Sequence, residues 1–523
     1  MRNSLFILLL LATLPSWGRS VAVRNYGQLM SNLTRDNTTF VIRGNVDLRG
    51  ETISLPTDCT IKFKRGAMSN GTIVGADTRI VGVKSRIFRN LSFDGRFLID
   101  YIDYRMFSGY SSDTELVRNM LGLLFSSSEY CSLDLQPNRV YNIDGPKLSY
   151  AHALFEYRSI HGKCINGNNA IINDQRPRSH VGYKTYDGVL LFIDCHNISI
   201  HHLNYQNLNE DFNEISDNGV VKYRAGIENQ IGYVGTSFIL LQDDCSDFDI
   251  SSNIVGARYG IKAGDYSMYW LCGDYGIKRS RFNITASRTG YPVAIEVGDS
   301  LNVFVHSEEH HRAAYLCGVS NSSITIEAKD IYIAPYHCIL NDAHYSKGDR
   351  EDVKYKSCYN LKVDITELGS SIATNKDCYC VGMQTYNTSP FYNRSAPLVW
   401  ENIDITVRKE KAADRVGLAT LKRTNPNSDH DPLRVADVYR NISISGSDPF
   451  ASSQYAFRLR VGEYGQYDNI HIELNAPFGS AICDNANDYY FDLSTSNLNL
   501  LYSHGRIISG NGIRNRKTIK SAL

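Results

Sequence analysis

Six side chains between residues 258 and 336 combine positive charge, imidazole and phenol, a set that can act on an acidic sugar. They are Arg258, Lys262, His310, His311, Arg312 and Tyr336. Guanidinium groups pair with carboxylates or sulfates through two parallel hydrogen bonds, so a groove lined by these groups suits a uronic-acid polymer. The partner predicted for this site is therefore an acidic polysaccharide of the glycosaminoglycan or pectin type.

Cleavage of such a polymer by β-elimination needs three groups. A cation neutralises the carboxylate, a base takes the proton beside it, and an acid protonates the leaving oxygen. The cation could be Arg258 or Arg312, the base could be His310, His311 or Lys262, and the acid could be Tyr336. The leading hypothesis is a polysaccharide lyase with these residues at its centre.

Further substrate contacts are predicted beside this set. Glu296 falls in the same column as Lys262, and Arg224 and Asn229 belong to a polar, glycine-containing stretch that could overhang the groove. The plainer alternative is that these groups are solvated strand ends and a mobile loop. In that case, opposite charges such as Lys262 and Glu296 merely pair with each other.

The elements that must position these residues are short strands. Apolar-polar-apolar motifs recur at Phe248–Ile250, Phe282–Ile284, Val303–Val305, Ile324–Ile326, Val363–Ile365, Ile403–Ile405, Ile442–Ile444, Ile470–Ile472 and Phe491–Leu493. Ile284, Val305 and Ile326 are 21 residues apart, and other steps are 39 to 40 residues long. A unit of roughly 20 to 25 residues, with loops inserted in some units, predicts a parallel β-helix of stacked coils.

Four consecutive segments, 258–264, 292–298, 312–318 and 336–342, can be aligned on their last residue. Strand alternation then places one set of side chains inward. That set is Tyr259, Ile261, Ala263, Val293, Ile295, Val297, Ala313, Tyr315, Cys317, His337, Ile339 and Asn341. The opposite face receives Arg258, Arg312 and Tyr336 in one column, with Lys262 and Glu296 in the next.

Hydrolysis of a glycosidic bond is the second hypothesis. It needs two carboxylates about 5 Å apart, or up to about 9 Å apart, which matches one or two coil spacings. The available carboxylates are Asp243, Asp244, Asp265, Glu296 and Asp299. The G-H-G and R-x-K signatures of polygalacturonase-type hydrolases are missing, and a non-catalytic glycan-binding protein is the third hypothesis.

A helix is predicted from Thr114 to Leu124, with Asp113 as its N-cap. It could cap the solenoid or separate an N-terminal β segment, because residues 40–93 form strand after strand, with Asn70 and Gly71 at a tight turn. We predict a signal peptide over residues 1–20, an N-terminal β segment over 21–105 and the main β-helix over 106–523.

Two segments carry a family resemblance. Asp113–Met120 is similar to a D-T-x-A-[IL]-Q-x-A opening, and Pro137–Ile143 to the P-x-G-x-Y-x-[IL] that follows it, with Leu116, Met120 and Arg139 in place of the usual Ala, Ala and Gly. The chain thus resembles the pectate-lyase-like superfamily of right-handed parallel β-helix proteins, especially those secreted by gut Bacteroidetes. The resemblance implies an all-β fold but does not choose between lyases, hydrolases, epimerases and adhesins.

Composition restricts the remaining possibilities. Lys plus Arg and Asp plus Glu both number 55, so no global field favours nucleic acid. Arg2 and the apolar run Phe6–Ala12 are typical of a signal peptide without a lipid-anchor Cys, and no later stretch is long enough to span a membrane. The protein is predicted to be secreted or periplasmic. Its oligomeric state is not indicated.

The twelve cysteines are mostly predicted to be small core residues, because several lie inside apolar strand-like runs. Cys378 and Cys380 form a C-x-C pair with no partner pair at zinc-site spacing, so no metal site is predicted. The sequence indicates no certain cofactor, and Ca²⁺ could help to neutralise the substrate carboxylate.

Overall fold

The computed structural model describes residues 18–82, 85–127, 130–146, 148, 152–176, 188–208, 236–264, 276–331, 336–341, 343–345, 354–370, 378–385, 398–413, 416–423, 437–450, 457–460, 465–475, 482–484, 498–502, 507–508 and 519–521. The chain forms two compact units. The first comprises Met1–Gln136 with Gly162–Asn166, and the second comprises Pro137–His161 with Gly167–Leu523. The predicted signal peptide falls almost entirely outside the described residues and stays a prediction.

The first unit is built mainly of parallel strands. They are β1 (Ser20–Val23), β2 (Thr39–Ile42), β3 (Asn45–Asp47), β4 (Thr52–Ser54), β5 (Thr60–Phe63), β6 (Ala67–Val81), β7 (Phe88–Leu98), β8 (Tyr101–Asp103), β9 (Phe107–Ser108) and β10 (Cys131–Asp134). The strands expected over residues 40–93 are confirmed. The turn expected at Asn70 and Gly71 is wrong, because both residues lie within β6, where Asn70 bends the strand at φ 53°.

The described helices belong to this unit and are α1 (Tyr26–Met30), a 3-10 turn (Tyr104–Met106) and α2 (Asp113–Phe125). The predicted helix is confirmed as α2, but its N-cap is Ser112, whose side chain accepts from the amide of Glu115 at 3.2 Å. Val117, Met120 and Leu124 bury its apolar face. In the described part of the chain, neither helix has the length and apolar character needed to cross a bilayer.

The second unit continues with strands that are nearly all parallel. They are β11 (Val140–Ile143), β12 (Ala153–Arg158), β13 (His161–Asn166, mostly in the first unit), β14 (Ile171–Asp174), β15 (Gly188–Ile193), β16 (His196–His201), β17 (Asn204–Gln206), β18 (Ser237–Gln242), β19 (Ser246–Val255), β20 (Tyr259–Ala263), β21 (Ile277–Lys278), β22 (Arg281–Thr289), β23 (Tyr291–Asp299), β24 (Asn302–His310), β25 (Ala314–Ile331), β26 (Tyr336–Asn341), β27 (Ala343–Tyr345), β28 (Lys354–Lys356), β29 (Tyr359–Glu367), β30 (Cys378–Thr385), β31 (Val399–Lys409), β32 (Val416–Arg423), β33 (Asp437–Ser447), β34 (Phe457–Arg460), β35 (Gly465–Asn475), β36 (Ile482–Asp484), β37 (Leu498–Tyr502), β38 (Ile507–Ile508) and β39 (Ile519–Ser521). The described exception is the antiparallel pair β27–β28.

Two parallel sheets in this unit matter for the site. The front sheet stacks β12, β15, β18, β20, β23, the start of β25, β26, β30, β32, β34, β36 and β38. The back sheet stacks β16, β19, β22, β24, the end of β25, β29, β31, β33, β35, β37 and β39. The chain alternates between the sheets as it advances, so the predicted stacking of parallel coils is confirmed.

A single residue in the left-handed conformation repeats between the front and back sheets. In the later coils this residue is Asn321, Asn360, Asn402, Asn441 and Asn469, each with φ between 51° and 55°. Asparagine tolerates this conformation better than most residues. The side-chain amides bond from each coil to the one before it at 2.8 to 3.0 Å, which fixes the corner in register.

The back sheet obeys the predicted alternation, although the register differs at three places. The 21-residue steps through Ile284, Val305 and Ile326 are confirmed. However, Ile250 rather than Phe248 pairs with Phe282, and Val363 pairs with Ile405 rather than Ile403. Ile470–Ile472 pairs with Leu498–Leu500 rather than with the next motif, Phe491–Leu493, which lies outside the described residues.

The front sheet differs from the back sheet in burial. Strands β20 and β26 are buried at every position, whereas β22 on the back sheet alternates between buried and exposed residues. A strand that is buried on both faces has a covered outer surface. Polar side chains on that surface are consequently held in a sheltered environment.

Candidate active site

The outer face of the front sheet carries most of the residues predicted to do chemistry. Register places Lys262, Ala294, Tyr315 and Ile339 in one column across four coils. The preceding residue of each strand belongs to the opposite column, Ile261, Val293, Ala314 and Cys338, and all four are 0% exposed. Because neighbouring residues of a strand point to opposite faces, the Lys262 column faces away from the core.

Five buried tyrosines lie together on this face and define the tyrosine cluster: Tyr259, Tyr291, Tyr315, Tyr336 and Tyr379. The rings of Tyr259 and Tyr291 stack with centroids 5.0 Å apart, and Tyr315 meets Tyr291 edge-on at 6.0 Å. The ring of Tyr336 occupies the space where a side chain at position 382 would lie, so Gly382 leaves room for it. Aromatic side chains with a few polar groups are typical linings of ligand sites.

Three cations contact the tyrosine rings. The Arg258 guanidinium and the Lys262 ammonium lie 5.0 and 5.1 Å from the centre of the Tyr259 ring. The Arg312 guanidinium lies 5.2 Å from the centre of the Tyr315 ring. Attraction to the ring faces stabilises these cations where water is scarce. Arg258 and Lys262 are buried, while Arg312 is half-buried.

His311 belongs to the same cluster and is held as a neutral base. Its ring lies edge-on to Tyr291 at 5.1 Å, and both ring nitrogens are buried without a hydrogen-bond partner. Burial and the neighbouring Arg312 charge lower the pKa of His311 to about 3. The backbone amides of His311 and Arg312 both donate to the carbonyl of Gly290 at 3.0 Å, which fixes this short segment.

His310 points the other way, into the core. It is 0% exposed, and its ring bonds to the Ser307 hydroxyl at 3.0 Å and to the His337 ring at 2.8 Å. Burial, followed by the nearby His337 and His311 rings, keeps the pKa of His310 well below its usual range. His310 is therefore excluded as a base that contacts substrate.

The predicted columns on this face need correction. Lys262 pairs with Ala294, whereas Glu296 pairs with Cys317, so the proposed Lys262–Glu296 column is wrong. Glu296 is half-buried and lies on the same face as the cluster, against Gly264 of the preceding coil.

The error comes from a slip between segments. Ile261 pairs with Val293 rather than Ile295, a slip of two residues that misplaces Glu296, and Val293 pairs with Ala314 rather than Ala313, a slip of one. A slip of one residue exchanges the two faces of a strand. This slip puts Tyr315, Cys317, Ile339 and Asn341 on the outer face instead of the inner one. Tyr259 and Val297 were also predicted inward, and they lie in the cluster on the outer face.

Other predicted groups do not join the cluster or lie outside the described residues. Arg224, Asn229 and Asp265 lie outside them. Asp244 forms an ion pair with Lys278 at 2.8 Å. Asp299 accepts hydrogen bonds from Ser300, Ser320 and Asn321 at the corner of the coil, and these bonds outweigh its burial and lower its pKa.

The sequence identified Tyr336 as a site residue but not the other four tyrosines of the cluster. Tyr259, Tyr291, Tyr336 and Tyr379 each lie two residues before a buried apolar residue or Cys of a front strand. This repeated position was the available signal. Among the described residues, no group of three or more His, Cys, Asp and Glu side chains is arranged to hold a metal ion.

No protein-family model and no curated protein matches this chain. Among solved structures, the chain is similar to an endo-xylogalacturonan hydrolase from Aspergillus tubingensis, at 9% identity and TM-score 0.43 over 79% of this chain and 96% of that one. It is also similar to the GH136 lacto-N-biosidase from Eubacterium ramulus, at 8% identity and TM-score 0.35 over 79% of this chain and 68% of that one. A family 28 exopolygalacturonase from Yersinia enterocolitica gives 8% identity and TM-score 0.20 over 95% of this chain and 79% of that one. At these TM-scores the likenesses do not assign a reaction.

Proposed function

We propose that the protein is an exported polysaccharide lyase that cleaves a uronate-containing polymer by β-elimination at His311 and Arg312. The observation that carries the proposal is a neutral imidazole, with ring nitrogens that accept no hydrogen bond, beside a guanidinium and over tyrosine rings. His311, Arg312 and Glu296 are half-buried residues at the edge of the cluster, and the proposal requires that substrate binding opens access to the buried ring nitrogens of His311.

The reaction divides among these side chains. Arg312 binds the substrate carboxylate, and His311 takes the proton from the carbon beside it. The electron pair left on that carbon forms a carbon–carbon double bond as the bond to the leaving oxygen breaks. The phenol of Tyr336 or Tyr315 gives its proton to that oxygen and is reprotonated through solvent by the His311 imidazolium. No external reactant is consumed.

The low basicity of free His311 fits this scheme once substrate binds. Burial is the larger cause that lowers the pKa of His311, and the Arg312 charge is the second. A carboxylate bound to Arg312 offsets that charge, and so raises the pKa of His311 toward the value of a useful base. A methyl ester would not do so, and the proposal therefore includes a preference for free carboxylates.

The proposal includes the fold class and the location. Parallel crossovers are right-handed in nearly all known cases, which supports a right-handed β-helix of the pectate-lyase-like type. The apolar run Phe6–Ala12 supports export.

Glycoside hydrolysis is the second candidate because Glu296 lies on the face of the cluster. It requires a second carboxylate within about 5 to 9 Å. Asp244 and Asp299 are engaged elsewhere, as described above. The described residues therefore supply the three groups of an elimination more completely than the two of a hydrolysis.

The test incubates the purified protein with a panel of uronate polysaccharides and follows ultraviolet absorbance of unsaturated product together with new reducing ends. A lyase gives both signals, and both are expected. Reducing ends without absorbance would instead establish a hydrolase. Binding without either signal would establish a non-catalytic glycan-binding protein.

A further inference from the structure

A continuous chain of hydrogen bonds runs through the interior of the coils behind the proposed site. Ser307 bonds to His310 at 3.0 Å, His310 bonds to His337 at 2.8 Å, and His337 bonds to Glu367. Glu367 also accepts from the amides of Gly369 and Ser370 and from the Ser370 hydroxyl at 2.6 to 2.9 Å. We call Ser307, His310, His337 and Glu367 the interior chain, and all four are 0% exposed.

The interior chain joins elements that are distant in sequence. Ser307 and His310 belong to β24, His337 to β26 and Glu367 to β29, so it ties the back sheet to the front sheet across coils. Burying these groups costs free energy unless each is hydrogen-bonded. The hydrogen bonds satisfy these groups collectively, so removing a group at one end leaves its neighbour with one hydrogen bond fewer.

His310 links the interior chain directly to the site. It is followed at once by His311 and Arg312, which emerge on the outer face, and it is preceded by Glu309 in the left-handed conformation at φ 56°. The polypeptide backbone therefore changes direction within two residues. An anchored His310 ring on the inner side fixes where the next two side chains lie.

We propose that the interior chain positions His311 and Arg312, so that His310, His337 and Glu367 are positioning residues for the reaction. This inference rests on the proposed function for its catalytic meaning, while the positioning itself is a property of the folded protein. Preorganised groups matter because small displacements of a base or a cation from the reacting atoms lower the rate steeply.

The hydrogen-bond pattern identifies a conservative variant. In one arrangement, Ser307 donates to His310, His310 to His337, and His337 to the carboxylate. In Glu367→Gln the amide oxygen can keep its three donors, and the amide nitrogen can donate to His337. His337 then donates to His310, and His310 donates to the Ser307 hydroxyl. Glu367→Ala leaves His337 buried without that partner. The two variants differ in whether the interior chain stays intact. Both of them remove the carboxylate of Glu367, a residue that pairs with Lys409 in the sheet.

The test is hydrogen exchange by mass spectrometry on peptides that cover residues 306–316, with initial rates measured in parallel. Glu367→Ala should accelerate exchange of the His311 and Arg312 amides about tenfold and lower kcat by up to about 10²-fold. Glu367→Gln should stay close to the wild type in both. Ile444→Ala, which creates a cavity in the core at β33, is the matched control and should leave amide exchange of residues 306–316 unchanged.

Unchanged exchange at His311 and Arg312 in Glu367→Ala would overturn the inference, as would equal acceleration in Ile444→Ala. If Glu367→Ala does not fold, Ser307→Ala decides in the same way, because it removes only the last bond of the interior chain. A wild type without lyase activity, combined with acceleration specific to Glu367→Ala, would remove the proposed function and leave the positioning role standing.

Discussion

His310 and His311 are neighbours in sequence with opposite roles. Both ring nitrogens of His310 form hydrogen bonds inside the core, whereas the ring nitrogens of His311 have no hydrogen-bond partner on the outer face. Both imidazoles are neutral because burial disfavours the charged form. A residue type alone could not separate them, since the sequence shows only two adjacent histidines before an arginine.

The first residue-scale prediction concerns Arg312. Arg312→Ala should lower kcat/KM on a uronate polymer by about 10²- to 10³-fold, because it removes a charge that stabilises the transition state. Arg312→Lys should recover only part of the loss, since an ammonium cannot pair with a carboxylate through two parallel bonds. Initial rates measure both. Arg440→Ala, which disrupts an exposed ion pair with Glu401, is the control and should behave as the wild type.

The second residue-scale prediction concerns pH and stability. His310 and His311 have lowered pKa values in the folded state, so below about pH 6.5 the unfolded chain binds protons that the native protein does not. The free energy of unfolding should be greatest above that pH and fall as the pH is lowered toward 5, by at most about 1.4 kcal/mol per pH unit for each histidine. Urea denaturation at a series of pH values measures this dependence. His311→Gln should make it shallower, and an unchanged slope in that variant would contradict the assigned cause.

At the scale of elements, the corner asparagines set the register of the later coils. Each middle member donates to the coil before it and accepts from the coil after it, in a left-handed conformation. Asn441 belongs to a sequence that matches a glycosylation sequon. Its place in this row of hydrogen-bonded asparagines explains why an asparagine lies there. The same corner in an earlier coil is occupied by Ser300, so asparagine is not the only residue that can take it.

The prediction at this scale separates the two properties of Asn402. Asn402→Gly keeps the backbone conformation but loses two hydrogen bonds, and should lower the free energy of unfolding by about 1 to 2 kcal/mol. Asn402→Ala should be as much as about 1 kcal/mol less stable than the glycine variant, because a Cβ disfavours positive φ. Denaturant unfolding of the two variants measures both effects. Equal stabilities would show that the backbone conformation contributes nothing at this corner.

Sequence patterns predicted these elements better than their register. Alternating motifs such as Val303–Val305 identified back strands because one face of that sheet reaches solvent. The front strands are buried on both faces, so alternation there carried little information, and matching Val293 with Ala313 instead of Ala314 exchanged the faces of Tyr315 and Ile339.

At the scale of the molecule, the stacked parallel strands and α2 were predictable because their signals are local. The site was predictable only in part. Arg258, Lys262, Arg312 and His311 do meet at the tyrosine cluster, but the buried ring of His310 bonds to His337, 27 residues farther along the chain, and His337 bonds in turn to Glu367. Such contacts arise from the stacking of coils and leave no pattern near the residue itself.

The most direct test of the central claim is the mass of the products released from a uronate polymer, for the wild type and for His311→Ala. Elimination predicts wild-type oligosaccharides that carry an unsaturated sugar at the non-reducing end and contain no added water, and almost none of these products from His311→Ala. Products that contain one added water at each cleaved bond, or undiminished unsaturated products from His311→Ala, would contradict the assignment of His311 as the base of a lyase.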